Sequence, residues 1–215
     1  MEIKHTVLFL IALGVAGCGS SHSLIKLGSA DSTQVFPLKV GNTFISKKEY
    51  FDLQTGKQYL TKIDTVKILG TQVLGDETFY VTNTNQYLVN RSDGYWLSNG
   101  AVTKTGPALE AKYPGSVGET FPSYTKITNE NPPDTVIGTW EILAKDEKVT
   151  VPAGTFTCMK YRREARGITT QRLHLQNLSW WSPGFGLIKR EDYYPSEKGS
   201  LILICREELL SEELK

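Results

Sequence analysis

The chain has 215 residues, with 24 Lys and Arg against 23 Asp and Glu, for a formal net charge of +1 at pH 7. That balance lacks the basic excess of a nucleic-acid binder, and 40% hydrophobic with 10% aromatic residues describes a folded chain rather than a disordered one. The length suits one larger domain or two small ones with a sizeable core, and no repeat of fixed period is visible.

Lys4 and His5 precede a short apolar run from Val7 to Val15, and small residues Ala16-Gly17 follow, which is the order of a secretory signal. The run falls short of the about 20 apolar residues that span a membrane, so residues 1–17 are expected to be removed. Val15-Ala16-Gly17-Cys18 resembles the lipobox of bacterial lipoproteins. The resemblance implies a diacylglyceryl thioether on Cys18, cleavage before it, and acylation of the new amino group by a palmitate-like chain. Two or three acyl chains anchor stably where one is marginal. Residue 19 is Gly rather than Asp; the resemblance then implies the outer membrane wherever the enterobacterial sorting rule holds. Residues 18–34 read as the lipidated Cys and a flexible tether with a reach of roughly 20 Å, and residues 35–215 as a single β domain.

From Phe36 onward, short segments rich in Thr, Val, Ile, Tyr and Phe alternate with turn signals such as Gln54-Thr55-Gly56, Gly75-Asp76, Asp93-Gly94 and Asn99-Gly100. Phe79 and Val81 alternate with Thr78, Tyr80 and Thr82, while Val136, Trp140 and Ile142 fall on one strand face. The pattern predicts a mainly β antiparallel meander with one packed face. Residues 104–134, with five prolines, read as a long irregular connection. At the end of the chain, "REELLSEELK" predicts a short C-terminal helix.

"VTVPAGTFTCMKYRRE" is the most specific stretch of the body. Pro152 and Gly154 suit a tight turn with a bulge, and Pro183-Gly184, followed by Gly186, suit a type II turn in "WWSPGFGLIKRED". With "FPLKVGNTF" near the start, these hairpins resemble TapB-like secreted bacterial lipoproteins. The resemblance implies a curved antiparallel sheet or half-open barrel, similar in general shape to the lipoprotein carriers LolA and LolB. It brings no catalytic residues.

With Cys18 lipidated, Cys158 and Cys205 remain in an exported domain where disulfides persist. Each shares a strand face with apolar residues, and either a bridge or two buried thiols would fit, because pairing needs Cα atoms within about 7 Å. His174 has no second His or Cys-x-x-Cys beside it, and the chain has no Gly-x-Ser-x-Gly elbow and no P-loop. No cofactor or metal is expected, and enzyme activity has no motif behind it. Tyr95, Trp96, Trp140, Trp180 and Trp181 are the aromatics that could face a ligand; of Trp180 and Trp181, one should pack and the other point outward.

Three readings follow. A membrane-anchored envelope protein could hold an apolar ligand, a lipid or acyl chain, in its curved sheet. It could be a structural lipoprotein with an envelope protein partner. It could bind glycans through Trp96, Trp180 or Trp181. Nucleic acid is not an expected partner.

Overall fold

A computed structural model describes residues 33–100, 102, 106–127 and 134–215. The segment 1–17, Cys18 and nearly all of the tether lie outside the described residues. The body is an antiparallel sheet of twelve strands. They are β1 (Thr43–Phe51), β2 (Gln58–Leu74), β3 (Glu77–Thr82), β4 (Gln86–Arg91), β5 (Gly94–Asn99) and β6 (Ala108–Lys112). The second half holds β7 (Thr120–Ile127), β8 (Thr135–Val151), β9 (Gly154–Gly167), β10 (Leu173–Ser182), β11 (Gly186–Pro195) and β12 (Leu201–Glu213).

The strand order is β6-β5-β4-β3-β2-β1-β12-β11-β10-β9-β8-β7. Each half of the chain is a hairpin meander, and the two halves are joined through their outer ends by the β1–β12 ladder. The sheet curls into a nearly closed barrel whose seam lies between β6 and β7, neighbours in sequence that share no ladder. The seam is held by side chains and turns. Tyr161 on β9 donates its hydroxyl to the Lys112 carbonyl on β6 at 2.8 Å, and Lys112 pairs with Glu119 at 2.7 Å. β6 and β7 themselves fall inside the proline-rich stretch expected to be irregular. Pro122 is tolerated on β7 because that strand is an edge, where a missing N–H costs no ladder bond.

The expected C-terminal helix is a strand. Residues 201–213 form β12, bonded on both sides, to β1 and to β11. Its acidic residues meet lysines across the ladder rather than along a helix: Glu207 stands opposite Lys48 and Glu208 opposite Lys47. Tertiary pairing on both edges outweighs the modest helix propensity of Glu and Leu.

Two apolar clusters lie on opposite faces of the sheet. The interior cluster is built on Phe36, Phe44, Tyr95, Trp140, Tyr161 and Trp181. The other arises because the β8–β9 hairpin runs on past the barrel: Val149, Val151 and Phe156 pack with Trp180, Ile188 and Leu209. Ala153, at the hairpin tip, donates its N–H to the Leu209 carbonyl at 3.2 Å, so the tip reaches across to β12.

One end of the barrel is plugged by the chain's own approach to β1. The Gln34 carbonyl accepts from Gly184 N at 2.7 Å, and Asn90 Nδ2 donates to the Phe36 carbonyl at 2.7 Å. This fixes Phe36 in the interior, stacked on Tyr95 with centroids 5.0 Å apart and tilted against Phe44 at 4.6 Å. A Cβ on Gly186, whose φ is +88°, would lie 2.6 Å from the Phe36 ring, so only glycine admits the plug.

Phe36→Ala should destabilise the protein by about 3–5 kcal/mol, as truncation of a buried phenylalanine does. Gly186→Ala should also destabilise, and the double variant should lose less than the sum, because the new methyl no longer meets a ring. Guanidinium unfolding midpoints of the four proteins measure this; strict additivity would show that the ring and the glycine are not in contact.

Candidate functional site

The interior is not completely filled. Below the Phe36 plug lies a cavity of about 340 Å³, lined by Phe44, Tyr95, Trp140 and Trp181 together with charged groups. Strand alternation brings both kinds of residue to one face. On β1, Phe44, Ser46 and Lys48 are successive residues of one face, and on β9 Arg163 follows Met159 and Tyr161.

The charged wall is an ordered network. Lys48 pairs with Asp64 at 2.7 Å and with Glu207 at 3.6 Å, and Ser46 donates to Glu207 at 2.7 Å. Arg190 holds Asp192 through two hydrogen bonds of 2.9 Å. Asn177 donates to the same carboxylate and accepts from Arg163 Nε at 2.6 Å. The Arg163 guanidinium also lies over the Trp140 ring, 4.9 Å from its centroid.

Burial works against the charges here, and at Asp192 and Lys48 the partners overcome it. Burial would raise the Asp192 carboxyl, yet Arg190 and Asn177 hold it below the usual carboxylate range. Burial would lower the Lys48 ammonium, yet Glu207 and Asp64 hold it above its ordinary value. Glu110 goes the other way: burial pushes its carboxyl up, against the pull of Arg163 and Arg190.

A second, more open space of about 590 Å³ shares Lys48, Arg190 and Glu207 with the first, so it lies beyond the charged belt, toward the β1–β2 and β11–β12 turns. Its rim carries Tyr59, 67% exposed, and Tyr194, 42% exposed.

The aromatics singled out in the sequence separate into two groups. Tyr95, Trp140 and Trp181 converge on the interior cavity. Trp96 lies under the Arg91 guanidinium, 4.5 Å from its ring, and donates to Asp93 at 2.9 Å. Trp180 and Trp181 do point to opposite faces, but both are buried, so the expected outward ring is absent. Trp180 lies between Lys160 and Lys189, at 4.9 and 5.2 Å, under the β8–β9 hairpin, with its indole N–H on Glu147 at 2.8 Å. The fold of that hairpin over the sheet could not be read from local alternation.

Pro152 leads into Gly154, which adopts φ +141°, and Pro183 leads into Gly184 at φ +81°, with Phe185 N–H closing on the Ser182 carbonyl at 3.0 Å. Cys158 and Cys205 are free thiols, which excludes the bridge considered from the sequence. They lie on β9 and β12, with β10 and β11 between them. At about 4.8 Å per strand that places them far beyond disulfide reach. Sequence reading missed the charged wall, Lys48, Glu110, Arg163, Arg190 and Asp192. The one signal available was charged residues sharing a strand face with aromatics, which by itself resembles an ordinary solvated face.

Residues 137–202, from β8 into β12, match the DUF3108-like family model. No curated protein matches the chain. Among solved structures, the chain is similar to a candidate exported protein of YmcC-like fold from Bacteroides fragilis, at 18% identity and TM-score 0.54, covering 85% of this chain and all of that one. A candidate lipoprotein of Parabacteroides distasonis matches at 15% identity and TM-score 0.46, over 84% of this chain and 99% of that one. The hypothetical lipoprotein YmcC of Escherichia coli matches at 11% identity and TM-score 0.33, over 83% and 89%. The first of these shows a shared fold.

Burial pushes the Cys158 thiol up to about 12 and the Cys205 thiol up to about 11. The native protein should therefore react with iodoacetamide at pH 8 far more slowly than the unfolded chain, and Cys158 should be the slower of the two. Intact mass should not change with reductant. Site-resolved mass spectrometry over time checks both statements; a two-proton shift would sink the free-thiol assignment.

Proposed function

We propose that this chain is a lipid-anchored protein of the bacterial envelope whose barrel holds one small amphipathic molecule. The observation that carries the reading is the interior cavity, lined by aromatic rings together with charged groups. Ligand sites are commonly concave and apolar with a few polar groups that fix orientation, at about 300–1,000 Å³. A cavity of about 340 Å³ is at the small end of that range, so a single short-chain amphiphile fits better than a two-chain lipid.

The anchor rests on the Val15-Ala16-Gly17-Cys18 box and the short apolar run before it. The similarity in fold to a candidate exported protein accords with that placement. An outer-membrane location and palmitate on Cys18 belong to the same proposal. The plugged end of the barrel is where the tether enters, at Gln34. Of the aromatics of the glycan reading, Trp180 and Trp181 are buried, which leaves Trp96, half-buried under Arg91, to carry it.

Two experiments test the proposal. Cys18→Ser in the full precursor should abolish acyl incorporation and leave the chain unprocessed or released from membranes; normal processing with membrane retention would remove the anchor. For the ligand, the twelve described strands lie after residue 42 and the plug after residue 32, so none of these elements draws on residues 1–18. Residues 19–215, exported behind a cleavable signal and purified without detergent, should carry a discrete adduct in native mass spectrometry that organic extraction removes. Leu97→Trp, which fills the cavity from β5, should lose that adduct while keeping its fold. Wild-type protein that stays bare when short-chain amphiphiles are added would instead favour a structural role with protein partners.

A further inference from the structure

The groups around the cavity are unequally provided for. Each cation on its wall already has a partner: Lys48 has Asp64 and Glu207, Arg190 has Asp192, and Arg163 has Asn177. Two groups among the described residues lack one: the buried Trp140 indole N–H has no acceptor, and Glu110 is the one charged group of the wall without a donor. It projects from β6 into the same cavity, and among the described residues no donor lies within hydrogen-bond distance of its carboxylate. An ionised carboxylate is acceptor-only, and Glu110, half-buried and without a protein donor, has only water left to it. Its nearest charged neighbours, Arg163 and Arg190, pull on it electrostatically but are directed to Asn177 and Asp192.

The walls beside Glu110 are aromatic. Tyr95 stands close enough for the carboxylate to act on its hydroxyl, and Trp140, Trp181, Phe36 and Phe44 line the same space. A carboxylate among aromatic faces is the chemistry that takes a cation: the rings attract positive charge through their quadrupoles, and the carboxylate supplies the counter-charge and the acceptor. A carboxylate or phosphate head would instead sit beside Glu110 and Glu207, with the guanidinia already engaged.

We infer that Glu110 is the recognition group of the interior cavity and that its ligand carries a protonated amine on a short apolar tail. The inference rests on the cavity reading above and names the ligand class for it. The tail would lie against Phe44 and Leu97, and the ammonium would give Glu110 the donor it lacks.

The test compares three probes of one chain length, n-octylamine, n-octanol and octanoate, by titration calorimetry at pH 7 against residues 19–215. An alkylammonium stays charged there, as a lysine side chain does, with a pKa of about 10.4. Octylamine should bind at least tenfold more tightly than either of the others. Glu110→Gln, which keeps size and removes charge, should bring octylamine down to the level of octanol while octanol affinity stays the same. Thermal melting confirms that the variant is folded, and Leu97→Trp should block every probe that binds.

Octanol binding without an amine preference, or a preference that survives in Glu110→Gln, overturns the head-group assignment and leaves the cavity reading in place. Failure of all three probes to bind overturns both. Tighter binding of octanoate would assign the head-group site to the guanidinia instead.

Discussion

The barrel depends on the ladder between β1 and β12. Strands next to each other in sequence form hairpins locally, and five such hairpin contacts would build each half of the meander without the other. Only the β1–β12 register, from Thr43 opposite Glu213 to Tyr50 opposite Cys205, joins the halves into one sheet. Its contacts span nearly the whole described chain, so it is the contact with the greatest loop-closure cost. The ladder is reinforced by ion pairs along it: Lys47 with Glu208, Lys48 with Glu207, and Arg206 with Glu49. Such part-exposed pairs contribute little stability singly, but they specify register.

Joining the ends in mid-sheet moves the opening elsewhere. Where a meander barrel usually closes through its first and last strands, here β6 and β7 face each other without a ladder. Twelve strands also enclose more room than the about eight that side chains fill unaided. The plug of Phe36, the ring cluster around it and the belt of ion pairs are three ways of occupying that room, and the cavity is what they leave. Gly186, which admits the Phe36 ring, and Gly115, where a Cβ would run into the Ile142 side chain, are two positions of close approach.

Alternation and turn chemistry made the strands of this fold readable, and the resemblance of "FPLKVGNTF", "VPAGTF" and "WSPGFG" to secreted lipoproteins pointed to a half-open barrel. The landmarks turn out to be neighbours: Phe36 from the first rests on Gly186 from the last, and Phe156 from the second stacks edge-on against Phe185 at 5.4 Å. What local pattern could not supply was anything decided by long-range pairing. "REELLSEELK" has the composition of a helix and becomes a strand because both of its edges are taken. Trp180 looks like an outward ring until the β8–β9 hairpin folds over it. The charged wall was invisible for a similar reason, since Lys48, Glu110, Arg163 and Arg190 come from four strands and meet only when the sheet curls.

That wall is also the feature hardest to explain as stability. Its ion pairs are part-exposed, and such pairs contribute at most about 1 kcal/mol each. A barrel that needed only to be filled could have extended the aromatic cluster of Phe36, Tyr95 and Trp181 through to its far end. Instead, the aromatic cluster stops at a belt whose members hold one another in fixed orientation, and past the belt the barrel opens toward Tyr59 and Tyr194. The ligand proposed above, entering from that open end, would pass Lys48, Arg190 and Glu207 before reaching the aromatic faces, because the two spaces meet at those three residues.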